Sequence, residues 1–300
     1  MAEQNLLPGV HLGVSPLSWT NDVLAELGGD IPLETCLKDA ADIGYEGVEL
    51  GRKFPRDAQK LLPILSPYEL RLIGGWHSGY LTERSVEEEW KGASDHVRLL
   101  KDCGSQILVY GECGLLVGAS PWDEPLSKRL TLKQIELSTY ARKLAEFSVR
   151  LKDTGITLAY HYHLKMIVER AEDIDAFCEA TSEEVGLLLD TGHAYAAGAD
   201  YPEILRKFGS RVVHIHLKDV RRDVLERARK NDWSFNTAVR EGMFTVPGDG
   251  NIDFSEIGKF LRTSGYGGWV VVEAEQDPAK APPKPFTEKA YQFIGELLAG

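Results

Sequence analysis

No run among the 300 residues approaches the roughly 20 consecutive apolar positions that a membrane span needs. The opening MAEQNLLPGV lacks a basic segment followed by an apolar one, so a secretory leader is not expected. Cysteine is scarce. Cys36, Cys103, Cys113 and Cys178 are the four present, and none forms a CxxC pair, which excludes a disulfide framework and a structural zinc knuckle. Reduced thiols in a cytoplasmic protein are the expectation. Basic residues are also in deficit: 34 Lys and Arg stand against 46 Asp and Glu, a net charge of −12. Such a balance disfavours a nucleic-acid partner and leaves open a small neutral substrate or a cation. No strand-like run is followed by GxGxxG, so a dinucleotide-binding fold is disfavoured, and the late VPGDG turn at 246–250 lacks that spacing.

What is present is alternation. Short β-branched runs fall near Val10–Ser15, Gly47–Gly51, Arg71–Gly75, Gln106–Gly111, Ile156–His163, Val185–Thr191, Val212–Lys218 and Trp269–Glu275. Amphipathic helical patterns lie between them. Pro32–Ile43 opens on proline and stops at Gly44. Leu132–Lys152 carries apolar residues at helical spacing, Asp253 and Glu256 have capping-box spacing, and Phe286–Leu298 reads as a closing helix. Eight repeats of strand and helix predict a closed (β/α)8 TIM barrel of the α/β class, one domain over 1–300. The longest irregular stretch, Val220–Asn251, follows the seventh strand, and its length suggests a cover over a site.

Catalytic groups of such barrels gather at the C-terminal ends of the strands. Four runs here end in ligand-type residues: ITLAYHYH, VGLLLDTGH, VVHIHLKD and WVVVEAEQ. Side chains alternate along a strand, so His161 and His163 share a face, as do His214 and His216, and Glu273 and Glu275. An inward-facing set would project His161 or His163, Asp190, His216 and Glu273 toward one axis. Without a cation these charges would repel one another or stay unpaired. Mixed imidazole and carboxylate ligands suit manganese, cobalt, iron or zinc better than calcium. Glu49 and Lys53 close the second run, and Trp76 and His77 follow the third. Trp19, Thr20, Asn21 and Asp22 follow the first and read equally as a capped turn or a rim contact. Pro247 to Gly250 is a turn signal first. His11 and His96 read as structural or surface residues, and Cys113 is too isolated to be a nucleophile.

These residues resemble the xylose-isomerase-like barrel superfamily over nearly the whole chain, and within it the inosose dehydratase family. DTGH at 190–193 and HLKD at 216–219 mark the superfamily, whereas WTND at 19–22, ELGGDIPLETCL at 26–37 and FTVPGDG at 244–250 favour the dehydratases. The resemblance implies metal-dependent loss of water from 2-keto-myo-inositol to give a trihydroxycyclohexane-1,2-dione; an isomerase or epimerase of the same superfamily is the alternative. It implies metal ligands Asp190, His216 and Glu273, with the fourth position falling on His161, where many relatives carry glutamate. HLKM at 163–166 departs from the HMGT expected of the dehydratases. Candidates for acid–base work are His193, His77 and Lys53, and for substrate contact Trp19, Asn21, Glu49, His163, Lys218 and Glu275. Manganese or cobalt is the metal the resemblance implies, and it allows a thiol such as glutathione and a homo-oligomer. An endonuclease-IV-like repair enzyme would need a basic groove that this composition does not supply.

Overall fold

The computed structural model describes residues 7–299, and positions 1–6, read above for a leader, lie outside the described residues. Elements alternate in the order the sequence predicts. The first half contains β1 (Val10–Val14), α1 (Leu33–Ile43), β2 (Gly47–Leu50), α2 (Ala58–Leu65), β3 (Arg71–Gly79), α3 (Val86–Asp102) and β4 (Ile107–Glu112). Then come α4 (Leu137–Lys152), β5 (Thr157–His161), α5 (Ala171–Ala180), β6 (Gly186–Asp190), α6 (Thr191–Ala197), α7 (Tyr201–Phe208) and β7 (Val212–Leu217). The two-residue strands β8 (Asp219–Val220) and β9 (Phe244–Thr245) enclose α8 (Arg222–Lys230) and α9 (Phe235–Arg240). Last are α10 (Ser255–Thr263), β10 (Gly268–Val272) and α11 (Pro283–Ala299).

Eight parallel strands close into a barrel in the order β1, β10, β7, β6, β5, β4, β3, β2. Helices cover the outside, so the strands are buried on both faces and read as apolar runs rather than as alternating ones. Local chemistry sets the helix ends. Gly44 stops α1 in the left-handed region at φ 113°, its N–H returning to Ala40. Ser85 and Glu88 form a reciprocal capping box that starts α3. Tyr140, Leu144, Phe147 and Leu151 give α4 a buried stripe at helical spacing.

Three expectations are corrected. Asp253 does not cap by a box: α10 begins at Ser255, and Asp253 folds back to accept from the Ser255 N–H at 2.9 Å. The Leu132–Lys152 pattern is split, with a 3₁₀ turn at Leu132–Gln134 before α4. Val220–Asn251 is not wholly irregular: it carries the two short helices α8 and α9 between β8 and β9. In α8 only Val224, Leu225 and Ala228 are buried among six charged positions, which hides the apolar stripe from a composition reading. Among the described residues, no helix is long and apolar enough to cross a membrane.

Candidate active site

Adjacent strands β5, β6, β7 and β10 bring their C-terminal ends together, and with them the ligand-type side chains. His161 ends β5 and gives Nδ1 to the Tyr162 carbonyl at 2.6 Å, which turns Nε2 toward Asp190 Oδ2, 3.5 Å away. Asp190 ends β6; the Tyr162 hydroxyl clamps its backbone on both sides at 2.8 and 2.9 Å. Its Oδ1 accepts from the His193 N–H at 2.7 Å. From β7, His216 places Nδ1 3.2 Å from Glu273 Oε2 and 3.7 Å from Asp190 Oδ2. Its Nε2 lies 2.9 Å from Glu49 Oε1, which meets His214 Nε2 at the same distance. Lys218 Nζ lies 2.6 Å from Glu273 Oε1, 2.7 Å from Glu275 Oε2 and 2.9 Å from His193 Nε2.

Two atoms at the centre are left over. Asp190 Oδ2 and His216 Nδ1 are buried with no hydrogen-bond partner among the described residues, because the short contact of His216 with Glu273 lies outside hydrogen-bond geometry. Buried orphans of this kind carry a free-energy cost that a cation between them would remove. His161, Asp190, His193 and Glu273 each offer an atom within 4.8 Å of the others. His161 and His216 each spend one ring nitrogen on a neighbouring oxygen and turn the other inward, as metal-ligating histidines do. The residues therefore fit a divalent ion.

Electrostatics agree. Burial opposes ionisation of Asp190, Glu273 and Glu49, yet nearby cations outweigh it and hold all three ionised, Glu49 down to about 2. Burial likewise opposes a charge on His216, but Glu273 and Glu49 hold its pKa well above the usual imidazole range. With no cation bound, that proton and the Lys218 ammonium are the positive charges set against Glu49, Asp190, Glu273 and Glu275. His163 and His193 are driven neutral, chiefly by burial.

A cavity of about 480 Å³ opens beside this cluster, a size suited to a small ligand. Asn21, Asp22, Glu49, His161, His163, His216, Glu273 and Glu275 supply its polar wall, and Trp76, Tyr80, Trp122 and Phe235 much of its apolar one. No Lys or Arg lines it among the described residues. Trp122 meets the His163 ring edge-on at 5.4 Å and packs on Phe235 at 5.3 Å. The segments bearing these two aromatics are joined: Leu126 N–H donates to the Trp233 carbonyl at 2.9 Å, and Asn236 to Asp123 at 2.8 Å. Burial pushes the Cys113 thiol up to about 11, so this cavity-lining thiol stays protonated near neutral pH. A larger depression of about 1100 Å³ lies at the opposite, N-terminal end of the barrel, where no cluster of ligand-type residues is found among the described residues.

The family model described as xylose isomerase-like TIM barrel matches residues 37–297. The chain belongs to that family. The rhizopine catabolism protein MocC of Rhizobium meliloti is 42% identical over 297 residues, covering 99% of this chain and 91% of the relative. An inosose dehydratase of Clostridium perfringens is 37% identical over 288 residues, covering 96% and 97%. Among solved structures, the IOLI protein with a bound zinc atom superposes with TM-score 0.67 at 16% identity, covering 96% of this chain and 98% of that one, a likeness of fold alone.

Within this family fold, several residues singled out in the sequence lie away from the cavity. His77 belongs to β3 and points outward, bonded to buried Glu89 at 2.6 Å and stacked near Phe147. Lys53 binds the carbonyls of Gly28, Gly29 and Ile31, fixing the chain after β1. Trp19 is buried, its indole N–H donating to Asp39 at 3.0 Å. Asn21 does line the cavity while its Oδ1 caps Val23 and Leu24. His193 and Lys218 are enclosed behind the wall, whereas Glu49, His163 and Glu275 reach the cavity. The Pro247 to Gly250 turn is structural: Asp219 accepts from the N–H groups of Gly248, Gly250 and Ile252. Trp122 and Phe235 escaped sequence reading because a 3₁₀ turn and the first residue of a six-residue helix carry no readable periodicity.

Proposed function

We propose that this protein is a metal-dependent hydro-lyase that removes water from 2-keto-myo-inositol, giving a trihydroxycyclohexane-1,2-dione. The observation that carries this reading is the pair of orphaned atoms, Asp190 Oδ2 and His216 Nδ1, at the meeting point of four strands beside a cavity of small-molecule size. Full-length likeness to inosose dehydratases at 36–38% identity supports the substrate. His161, Asp190, His216 and Glu273 would hold the ion, manganese or cobalt in our reading. Bound there, it would supply Lewis acidity toward the ketone oxygen and a neighbouring hydroxyl.

The protein's own groups do the rest. Neutral His163 gives Nδ1–H to the Leu164 carbonyl at 2.7 Å, which leaves Nε2 to accept the proton α to the ketone. Glu275, tethered through Oε2 to Lys218, stands on the same wall. The hydroxyl on the adjacent carbon leaves with a proton from this wall, so the balance is one substrate to one dione and one water. Trp76, Trp122 and Phe235 offer apolar faces to the carbocycle and limit access of bulk water. An uncharged polyol ketone suits a wall that carries carboxylates and no Lys or Arg, where a phosphorylated sugar would be repelled. Four unpaired cysteines agree with work in the cytoplasm. The identity of 42% to MocC favours a second reading, service in rhizopine breakdown. Incubating the purified protein with 2-keto-myo-inositol and Mn²⁺ or Co²⁺, with and without glutathione, tests the first reading. Appearance of the dione supports it, and interconversion of ketoses without loss of water refutes it in favour of an isomerase.

A further inference from the structure

We propose that the ammonium group of Lys218 stands where a second divalent cation would sit and so restricts this site to one metal ion. The inference rests on the metal site proposed above. Lys218 Nζ is surrounded as a metal would be: Glu273 Oε1 at 2.6 Å, Glu275 Oε2 at 2.7 Å, His193 Nε2 at 2.9 Å and Asp190 Oδ2 at 3.6 Å. Carboxylate oxygens with one imidazole form a donor set that manganese, iron or zinc accepts. His163, His193 and Glu275 also make a second convergent group with atoms within 4.8 Å of one another, and His193 belongs to the first group too. Paired catalytic metals commonly sit roughly 3.5–4 Å apart and share a bridging carboxylate. Asp190 Oδ2 and Glu273 are placed to bridge in this way, since each faces both the orphaned His216 Nδ1 and the ammonium.

The fold makes room for this lysine. At Gly192 a Cβ would lie 2.5 Å from Lys218 Cγ, so any larger residue at that position would collide with its stem. The Phe244 ring lies 4.9 Å from Nζ and shields the charge from solvent. Lys218 is fully buried, with carboxylate oxygens of Asp190, Glu273 and Glu275 gathered around its Nζ. A tethered ammonium balances the carboxylates as a cation does, but it binds no hydroxide. A site built this way keeps an activated water away from the substrate, as a reaction that expels water requires.

Counting ions separates this proposal from the reading it rests on. Chelator-treated protein is dialysed against excess Mn²⁺, bound manganese is measured per chain, and the electron paramagnetic resonance spectrum is taken. Wild type should hold one ion with an uncoupled six-line spectrum. Lys218→Met should hold two ions with a spin-coupled spectrum, and Lys218→Met with Glu275→Gln should return to one. No bound ion in wild type refutes the metal site itself. Two coupled ions in wild type, or a single ion in natively folded Lys218→Met, overturn the role of Lys218 and leave the metal site standing. A Lys218→Met protein that cannot be recovered folded, with or without Mn²⁺, also overturns it, because the replacement cation should restore the balance.

Discussion

Glu49 touches both the cavity and a proposed metal ligand, so changing it to glutamine separates two roles. Its Oε1 lies 2.9 Å from Nε2 of both His214 and His216, and its charge fixes the His216 ring with Nδ1 aimed at Asp190 and Glu273. Glutamine keeps the volume and one acceptor oxygen but removes the charge that draws the two N–H groups. Losing such a support for a ligating histidine typically weakens metal binding about 10–100-fold, which is about 1.4–2.8 kcal/mol. We predict a fall of that size for Glu49→Gln in a Mn²⁺ titration of chelator-treated protein. At saturating Mn²⁺ the KM for 2-keto-myo-inositol should stay within about threefold of wild type, a difference of less than about 1 kcal/mol, because the role is to position His216. Unchanged metal affinity with a tenfold or larger rise in KM would refute the reasoning and make Glu49 a substrate contact.

Metal binding should weaken as pH falls, because the ion must displace the proton that keeps the His216 ring charged beside Glu273 and Glu49. Calorimetric titrations in buffers of different ionisation enthalpy should show a proton released near neutral pH. The same raised pKa means that His216 stabilises the metal-free fold at low pH and loses that contribution as pH rises through its folded value. His96 has the opposite sign: burial lowers its pKa to about 4 from 6.5. The unfolded chain therefore takes up the proton first, and stability is lost as pH falls from 6.5 toward 4, by about 3 kcal/mol. Urea unfolding across that range should show a flatter profile for His96→Gln. Phe147→Ala removes a fully buried ring packed against His77, Trp90 and Tyr110 and should cost about 3–5 kcal/mol of stability, read as a lower urea midpoint. His193→Ala should keep its metal and lose turnover about 10–100-fold, since this ring supports Lys218 and packs tilted against His163, centroids 3.7 Å apart, without reaching the cavity. Loss of the metal from that variant would instead place His193 among the ligands.

The barrel was legible in the sequence because each strand is a short apolar run closed by a turn, and all eight runs fall within a few residues of the observed strands. The convergence of His161, Asp190, His216 and Glu273 was legible for a related reason: period-two alternation near strand ends fixes which side chains face the axis. His77 shows the limit. Reading β3 as ending at Gly75 placed this residue on the rim, but the strand continues to Gly79 and alternation turns His77 outward to Glu89. Lys53 and Trp19 were misplaced in the same way, because what lies past a strand end depends on how the loop folds. Lys53 is spent on three loop carbonyls that no local pattern announces. The four-way surroundings of Lys218 draw on strands far apart in the chain and emerge only from the closed barrel.

The most direct test of the account is turnover of 2-keto-myo-inositol by chelator-treated protein before and after one equivalent of Mn²⁺, alongside metal analysis of Asp190→Asn and His216→Ala. The account predicts no dione before the metal is added, dione formation after it, and lost or strongly weakened metal binding in both variants. Full turnover by metal-free protein, or undiminished metal content in both variants, would contradict it.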